Sequence, residues 1–378
     1  MRRKTMYLAW NEIKRNKGKY TMITLIVLLI TWLVFLLTGL GNGLNALNAA
    51  AIQNINGDHL VFAKDSDNKF TKSTFSGEDL TEIKAVKGIE DATLMGSHMS
   101  SATNETNGSD KKVDITVVGI TNNSFIEPKV TEGVALNKAN HNDVIVADAI
   151  KNEGYKLGDE IKISGSDEIF TIVGFVEKNT FNHLPTVWLP LATWQEMRYA
   201  APGSDDGQKN PVNTVVLQTN DDFKPENLEK EVKGVQVATR KQAVASMPGY
   251  KEENGTIMLM LAFLVAISAV IIGVFFYVLT MQKIPQFGVM KAIGASNGFI
   301  SKIVVGQVTI ITLIGIILGA LATYGIAVIL PAGMPFALDN KMVLLYGLLL
   351  FAISLISTLF SVRQIVKVDP LIALGRVE

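Results

Sequence analysis

Residues 20–57 read YTMITLIVLLITWLVFLLTGLGNGLNALNAAAIQNING, a stretch of 38 positions without one charged side chain. Three more uncharged stretches follow near the end of the chain, at residues 254–282, 303–338 and 342–362. A helix rises ~1.5 Å per residue, so ~20 apolar residues cross the ~30 Å hydrocarbon layer of a membrane. The sequence therefore predicts an integral membrane protein with one span, a long insert and three closely spaced spans.

The charged residues, 35 basic and 35 acidic, are segregated along the chain. The first 19 residues hold seven Lys and Arg and one acid, Glu12, and residues 283–302 hold three Lys and no acid. Residues 41–255 hold 21 Lys and Arg against 31 Asp and Glu, a net charge of −10. Because Lys and Arg near spans stay in the cytoplasm, we expect both termini in the cytoplasm, the insert outside, and the protein in the cell membrane. The alternative of a cleaved signal peptide needs a shorter apolar core of ~7–15 residues.

The composition divides the chain into nine segments. They are a cytoplasmic amphipathic helix (1–19), the first span with an extracellular stalk (20–56), an extracytoplasmic α+β domain (57–253), the second span (254–282), a cytoplasmic coupling helix (283–302), the third span (303–330), a short outer loop (331–341), the fourth span (342–362) and a cytoplasmic tail (363–378). A stalk is expected because 38 helical residues extend ~57 Å, well beyond the membrane. The alternative is a break at Gly39, Gly41 and Gly43 followed by a separate helix.

The insert reads as a mixed α+β domain without cysteine, so it needs a core of its own. Runs rich in β-branched residues predict strands at 60–63, 113–120, 144–147, 160–163, 169–176, 186–189 and 214–218. Helices are predicted at 76–86 and 222–232, and polar loops at 100–112 and 202–211.

Catalytic constellations are missing from the sequence. It holds no glycine-rich phosphate loop, so ATP hydrolysis would need another chain, and its four histidines are scattered through the insert. The spans carry no Asp, Glu, Lys, Arg or His, the groups with which ion-driven transporters work. We expect no enzyme activity, metal, cofactor or nucleic-acid partner, and a source of energy outside the membrane.

Residues 283–297, KIPQFGVMKAIGASN, join the second and third spans. Pro285 can begin a short helix, Gly294 can end it, and Ser296 can cap the next helix. Three residues at helical spacing are expected to form one apolar face: Phe287, Met290 and Ile293. Such a helix could rest on lipid, or it could dock into a groove of a soluble motor protein.

Three separated motifs resemble those of the MacB/FtsX-like (type VII) ABC transporter permeases: residues 8–17 (LAWNEIKRNK), 283–296 (KIPQFGVMKAIGAS) and 368–374 (VDPLIAL). The order of one span, a large insert and three spans is similar too. The resemblance implies a permease that forms a homodimer, binds two copies of a separate ABC ATPase and transmits their motion through its helices to the outer domain ("mechanotransmission"). It assigns coupling to the ATPase to Phe287, Gly288, Lys291, Ala292 and Gly294.

Within the family, residues 8–14, 39–43, 247–253 and 273–288 resemble most the heme-exporting permeases of the HrtB type. Heme is then the implied exported substrate rather than a cofactor. Tyr250 and Met247 could be axial ligands near the outer membrane surface, and Phe263 and Phe35 could pack on the macrocycle. Tyr250 could equally be an interfacial aromatic residue. The alternatives are an exporter of a drug or antimicrobial peptide, and a non-transporting signal relay of the cell-division type.

Overall fold

A computed structural model describes residues 2–136, 140–331 and 334–366 of the chain. It divides into a membrane unit (Met1–Asn42, Gly255–Leu330 and Phe336–Glu378) and an inserted unit (Gly43–Asn254 with Pro331–Pro335). Four helices are long and apolar enough to cross a membrane, and an α+β domain lies between the first and the second of them, which confirms the predicted fold class. The tail motif at 368–374 lies outside the described residues.

The described helices are α1 (Arg2–Arg15), α2 (Lys17–Gln53), α3 (Leu80–Ala85), α4 (Leu191–Arg198), α5 (Pro225–Glu231), α6 (Arg240–Ala245), α7 (Tyr250–Met281), α8 (Ile284–Ala292), α9 (Asn297–Ile329) and α10 (Asn340–Val366). The described strands are β1 (His59–Ala63), β2 (Phe75–Ser76), β3 (Ile89–Asn104), β4 (Ser109–Ile120), β5 (Glu132–Gly133), β6 (Asp143–Ala147), β7 (Glu160–Ile163), β8 (Ile169–Val176), β9 (Thr180–Phe181), β10 (Leu184–Pro190), β11 (Pro211–Val212), β12 (Thr214–Thr219) and β13 (Val235–Thr239).

Helix α2 is continuous over 37 residues, or ~55 Å, and passes through all three glycines without a break. Gly315 and Gly319 on α9 lie at a close approach of this helix to α2. A Cβ atom added to Gly315 would lie 2.6 Å from Val27 Cγ1, and one added to Gly319 would lie 3.0 Å from Thr31 Cβ. Only a residue without a side chain permits this spacing of the two helices.

The inserted unit is built on one large sheet with the order β13-β1-β12-β3-β4-β10-β6-β8-β5, and β7 pairs with both β3 and β8. The pairing is mostly antiparallel, with parallel ladders between β10 and β4 and between β6 and β8. Helix α4 lies over β3 and β4, where Trp194 is fully buried. Cβ atoms at Gly96 and Gly119 would come within 2.4 and 2.3 Å of the Trp194 side chain, so both strands need glycine at this contact.

All predicted strands are present, but the polar loop predicted at 100–112 is wrong. Strands β3 and β4 extend through this region and pair from Met95–Ile120 to Asn104–Ser109. Strand β7 also pairs with β3 there, with Ala102 opposite Ile163, and Ala102 is buried. The polar composition suggested a loop because residues 105–108 form the exposed turn of the hairpin and residues 110–112 of β4 are exposed as well. Strand β13 was not predicted, and the two predicted helices are shorter, at Leu80–Ala85 and Pro225–Glu231.

Candidate functional site

Helix α8 is the first part of the candidate site, and its ends follow the sequence signals. Pro285 lies in the first turn, where a missing N–H is tolerated. Gly294 has φ +94°, a conformation that ends the helix. The Ser296 hydroxyl then accepts a hydrogen bond from the N–H of Phe299 at 3.3 Å and caps α9.

The apolar face predicted for α8 is only partly correct. Phe287 is buried at 4% exposure against Ile300, Val304 and Val362, and Met290 packs on the same cluster. Ile293, in contrast, is 81% exposed. The helix ends at Ala292, so helical spacing no longer places Ile293 beside Phe287.

The five coupling residues taken from the family resemblance therefore divide into two groups. Phe287 and Gly288 are buried and seat the helix, whereas Ala292 and Gly294 are exposed and Lys291 is half-buried. The exposed apolar surface of α8 comes instead from Val289 (50%) and Ile293 (81%).

A buried polar network lies directly beside α8, and we call Glu12, Tyr20, Lys283 and Gln307 the polar clamp. The Lys283 ammonium pairs with Glu12 Oε1 at 2.6 Å and donates to Gln307 Oε1 at 2.7 Å. It also donates to the Tyr20 hydroxyl. The Gln307 amide donates to Glu12 Oε2 at 2.5 Å. The clamp thus joins α1, α2, α9 and the turn that enters α8.

Both charged side chains of the polar clamp are largely buried, so water screens their interaction only weakly. The Lys283 side chain is 10% exposed and the Glu12 side chain 24%. Burial lowers the pKa of Lys283, while the hydrogen bond and charge of Glu12 raise it and offset part of that effect. The ammonium donates hydrogen bonds to Tyr20 and Gln307 and lies beside the Glu12 carboxylate, so the charge is both hydrogen-bonded and paired with an acid.

Sequence reasoning missed the polar clamp, although three signals were visible. Glu12 is the only acid among the first 19 residues, Lys283 closes an uncharged stretch, and Gln307 is a polar residue within an apolar span. Each is unremarkable alone. Their pairing depends on the helix packing.

The residues predicted to contact heme fall in both units. In the inserted unit, Met247 is buried at 4% exposure in the core, and Tyr250 packs against the same core cluster. In the membrane unit, Phe35 is fully buried with Val34 and Leu350, whereas Phe263 is 62% exposed. Their role in binding a ligand stays a prediction.

One group in the inserted unit offers metal-ligating atoms. The donor atoms of His141, Glu168 and Glu196 lie within 4.8 Å of one another. His141 and Glu196 are exposed to solvent, so water competes for these positions. The group is distant in sequence from the coupling segment and is not part of the candidate site.

Comparison with known proteins places these features in a family. Residues 21–235 match the MacB-like periplasmic core domain, and residues 258–370 match the FtsX-like permease C-terminal family. The chain is similar to the "Putative hemin transport system permease protein HrtB" of Staphylococcus haemolyticus, with 28% identity over 99% of this chain and 100% of that protein. A protein of the same description from Staphylococcus epidermidis is 26% identical over 98% of this chain and 99% of that protein.

Among solved structures, the periplasmic region of MacB from Actinobacillus actinomycetemcomitans aligns with a TM-score of 0.37 and 15% identity, over 50% of this chain and 92% of that chain. The first family match covers more than half of the chain, and the second covers most of the second span and the whole of the third and fourth. Together with the span order, these matches lead to one conclusion: the chain belongs to the MacB/FtsX-like family of ABC transporter permeases.

Proposed function

We propose that this chain is the permease subunit of an ATP-driven exporter of hemin. The observation that carries the proposal is its similarity, over nearly the full length of both proteins, to two relatives described as hemin transport permeases. The four apolar stretches at residues 20–57, 254–282, 303–338 and 342–362 hold no Asp, Glu, Lys, Arg or His, which supports an external source of energy.

The source of energy in this proposal is a separate ABC ATPase, with two copies bound to a permease homodimer. Helix α8 offers the docking surface, because Phe287 anchors it while Val289 and Ile293 remain exposed. An exposed apolar pair on a short helix suits binding in a groove of a partner protein. In this proposal α8 and both termini lie in the cytoplasm of a cell-membrane protein and the acidic inserted unit lies outside, an orientation that the basic segments support.

Motion at α8 would pass outward along α2 and α7. In the membrane unit, Lys283 contacts Tyr20, and Gly41 lies against Ile257, where an added Cβ would come within 2.7 Å. In the inserted unit, Asn45 Nδ2 donates to Asn254 Oδ1 at 3.3 Å. These contacts, found within each unit separately, support a role of α2 and α7 in mechanotransmission.

The far end of this helix pair carries the predicted hemin ligands. Ala49 and Ile52 of α2 share a core cluster with Met247, and Tyr250 begins α7 beside it. Thioether and phenol groups both bind heme iron. A displacement of α2 against α7 would therefore change the surroundings of Met247 and Tyr250, and this would couple ATP hydrolysis to release of hemin.

Hemin-stimulated ATP hydrolysis by the reconstituted permease and ATPase tests the proposal. We expect hemin to raise the rate of ATP hydrolysis. Tyr250→Phe, which removes only the hydroxyl, should raise the hemin concentration needed for half-maximal stimulation. Tyr277→Phe, on the same helix and 40% exposed, is the matched control. A rate that is indifferent to hemin but raised by a peptide would replace hemin with a peptide substrate. A rate that no amphipathic compound changes would favour a signal relay.

A further inference from the structure

A small cavity of about 50 Å³ lies in the membrane unit, between the α1–α2 turn and the start of α8. The polar residues that line it are Asn16, Lys19, Tyr20, Gln282, Lys283 and Gln286. None of these lining residues is acidic, and the groups facing a ligand include three side-chain amides and the Lys19 ammonium, while the Lys283 ammonium is engaged in the polar clamp. Such a lining suits a small anion.

Four basic residues lie near this cavity in addition to Lys283. Lys14, Arg15, Lys17 and Lys19 are all exposed, and within the described ranges none of them makes an ion pair. The nearby acid, Glu12, is already paired with Lys283 inside the polar clamp. Lys19 donates to Gln282 Oε1 at 3.0 Å, which holds its ammonium at the cavity while leaving two donors for a ligand.

The surroundings of the cavity distinguish a lipid headgroup from a free anion. On α2, exposed Met22 (55%) and Leu25 (51%) follow Lys19 within two turns, so an apolar surface begins where the basic surface ends. Helix α1 exposes Tyr7 (66%) and Trp10 (41%), residue types that prefer the membrane interface. A ligand with a phosphate at one end and acyl chains at the other matches both surfaces.

We propose that this cavity binds the phosphate of an anionic phospholipid, with the acyl chains along α2. The cavity shares Tyr20 and Lys283 with the polar clamp, so a bound phosphate would hold the α1–α2 turn against the start of α8. Binding of this lipid requires neither hemin nor ATPase, so it stands or fails separately from the proposed export function.

Native mass spectrometry of the full chain, delipidated in neutral detergent, tests this site. We expect phosphatidylglycerol to bind more tightly than phosphatidylcholine, and Lys19→Gln to weaken phosphatidylglycerol binding about fivefold, the effect of one lysine at an anionic surface. Lys302→Gln removes the same charge from an exposed lysine that does not line the cavity, and it should change the affinity little.

A second variant distinguishes lipid binding in the cavity from attraction of the lipid by surface charge. Gln286→Leu leaves the charge unchanged but removes a lining amide, and we expect it to weaken phosphatidylglycerol binding while the unfolding temperature is kept. Equal losses in Lys19→Gln and Lys302→Gln would overturn the site. So would equal binding of the two lipids, or full competition by inorganic phosphate, which would make the ligand a free anion.

Discussion

Replacing Glu12 with glutamine removes the one charge that neutralises Lys283 in the polar clamp. Lys283 is 10% exposed, and breaking a buried ion pair by removing one partner costs about 3–5 kcal/mol. Glu12 is 24% exposed and glutamine keeps one oxygen acceptor, so we expect a cost below that range, about 2 kcal/mol. We expect this lost stabilisation to appear as more frequent local unfolding of α1. Because each ~1.4 kcal/mol is a factor of ten, amide hydrogen exchange in α1 should be about thirtyfold faster.

The reverse substitution provides the comparison. Lys283→Met leaves Glu12, which can still reach water, so α1 should open less readily than in Glu12→Gln. The double variant Glu12→Gln/Lys283→Met buries no unpaired charge and should be more protected than Glu12→Gln alone. Unchanged exchange in Glu12→Gln, or a double variant no better protected than that single variant, would refute the assigned role of the clamp.

Three further predictions concern separate parts of the molecule. Burial lowers the pKa of His98 to about 4, so the unfolded state binds more protons between pH 6.5 and 4. The inserted unit should therefore lose up to about 3 kcal/mol of stability as pH falls through that range. In His98→Gln the unfolding temperature should no longer fall with pH in this way, whereas the exposed-site control His141→Gln should keep the pH dependence. Gly315→Ala should destabilise the membrane unit by about 1–3 kcal/mol in detergent melts, since its Cβ would overlap Val27, whereas Gly325→Ala meets no atom within 4 Å and should be tolerated. Ile293→Ser should lower ATP hydrolysis by the assembled transporter without lowering the melting temperature of the permease, and a normal rate would exclude Ile293 from the docking surface.

The spans and most strands could be predicted because their signals are local. An uncharged run of 38 residues specifies a membrane helix by composition, and β-branched runs such as residues 169–176 specify strands. The second half of β3 could not be predicted, because its Ser, Thr and Asn residues are typical of loops. Its pairing with both β4 and β7 stabilises it as a strand, and that pairing depends on residues up to 63 positions away.

The candidate site was predicted only where its signals are local. Pro285, Gly294 and Ser296 specify the ends of the helices through their own backbone preferences. The polar clamp escaped because Glu12 and Gln307 are 295 positions apart and meet only through helix packing. The orientation of Ile293 was wrong because the helical period was extended past the end of α8.

Export driven by an ATPase at α8 requires α8 and the inserted unit to lie on opposite sides of the membrane. The chain has no cysteine, so single substitutions give labelling without background. Lys233→Cys marks an exposed site in the inserted unit, and Ile293→Cys marks α8. With a membrane-impermeant maleimide on intact cells, we expect labelling at position 233 alone. Position 293 should be labelled only after the membrane is permeabilised. Labelling at 293 in intact cells, with 233 protected, would contradict it.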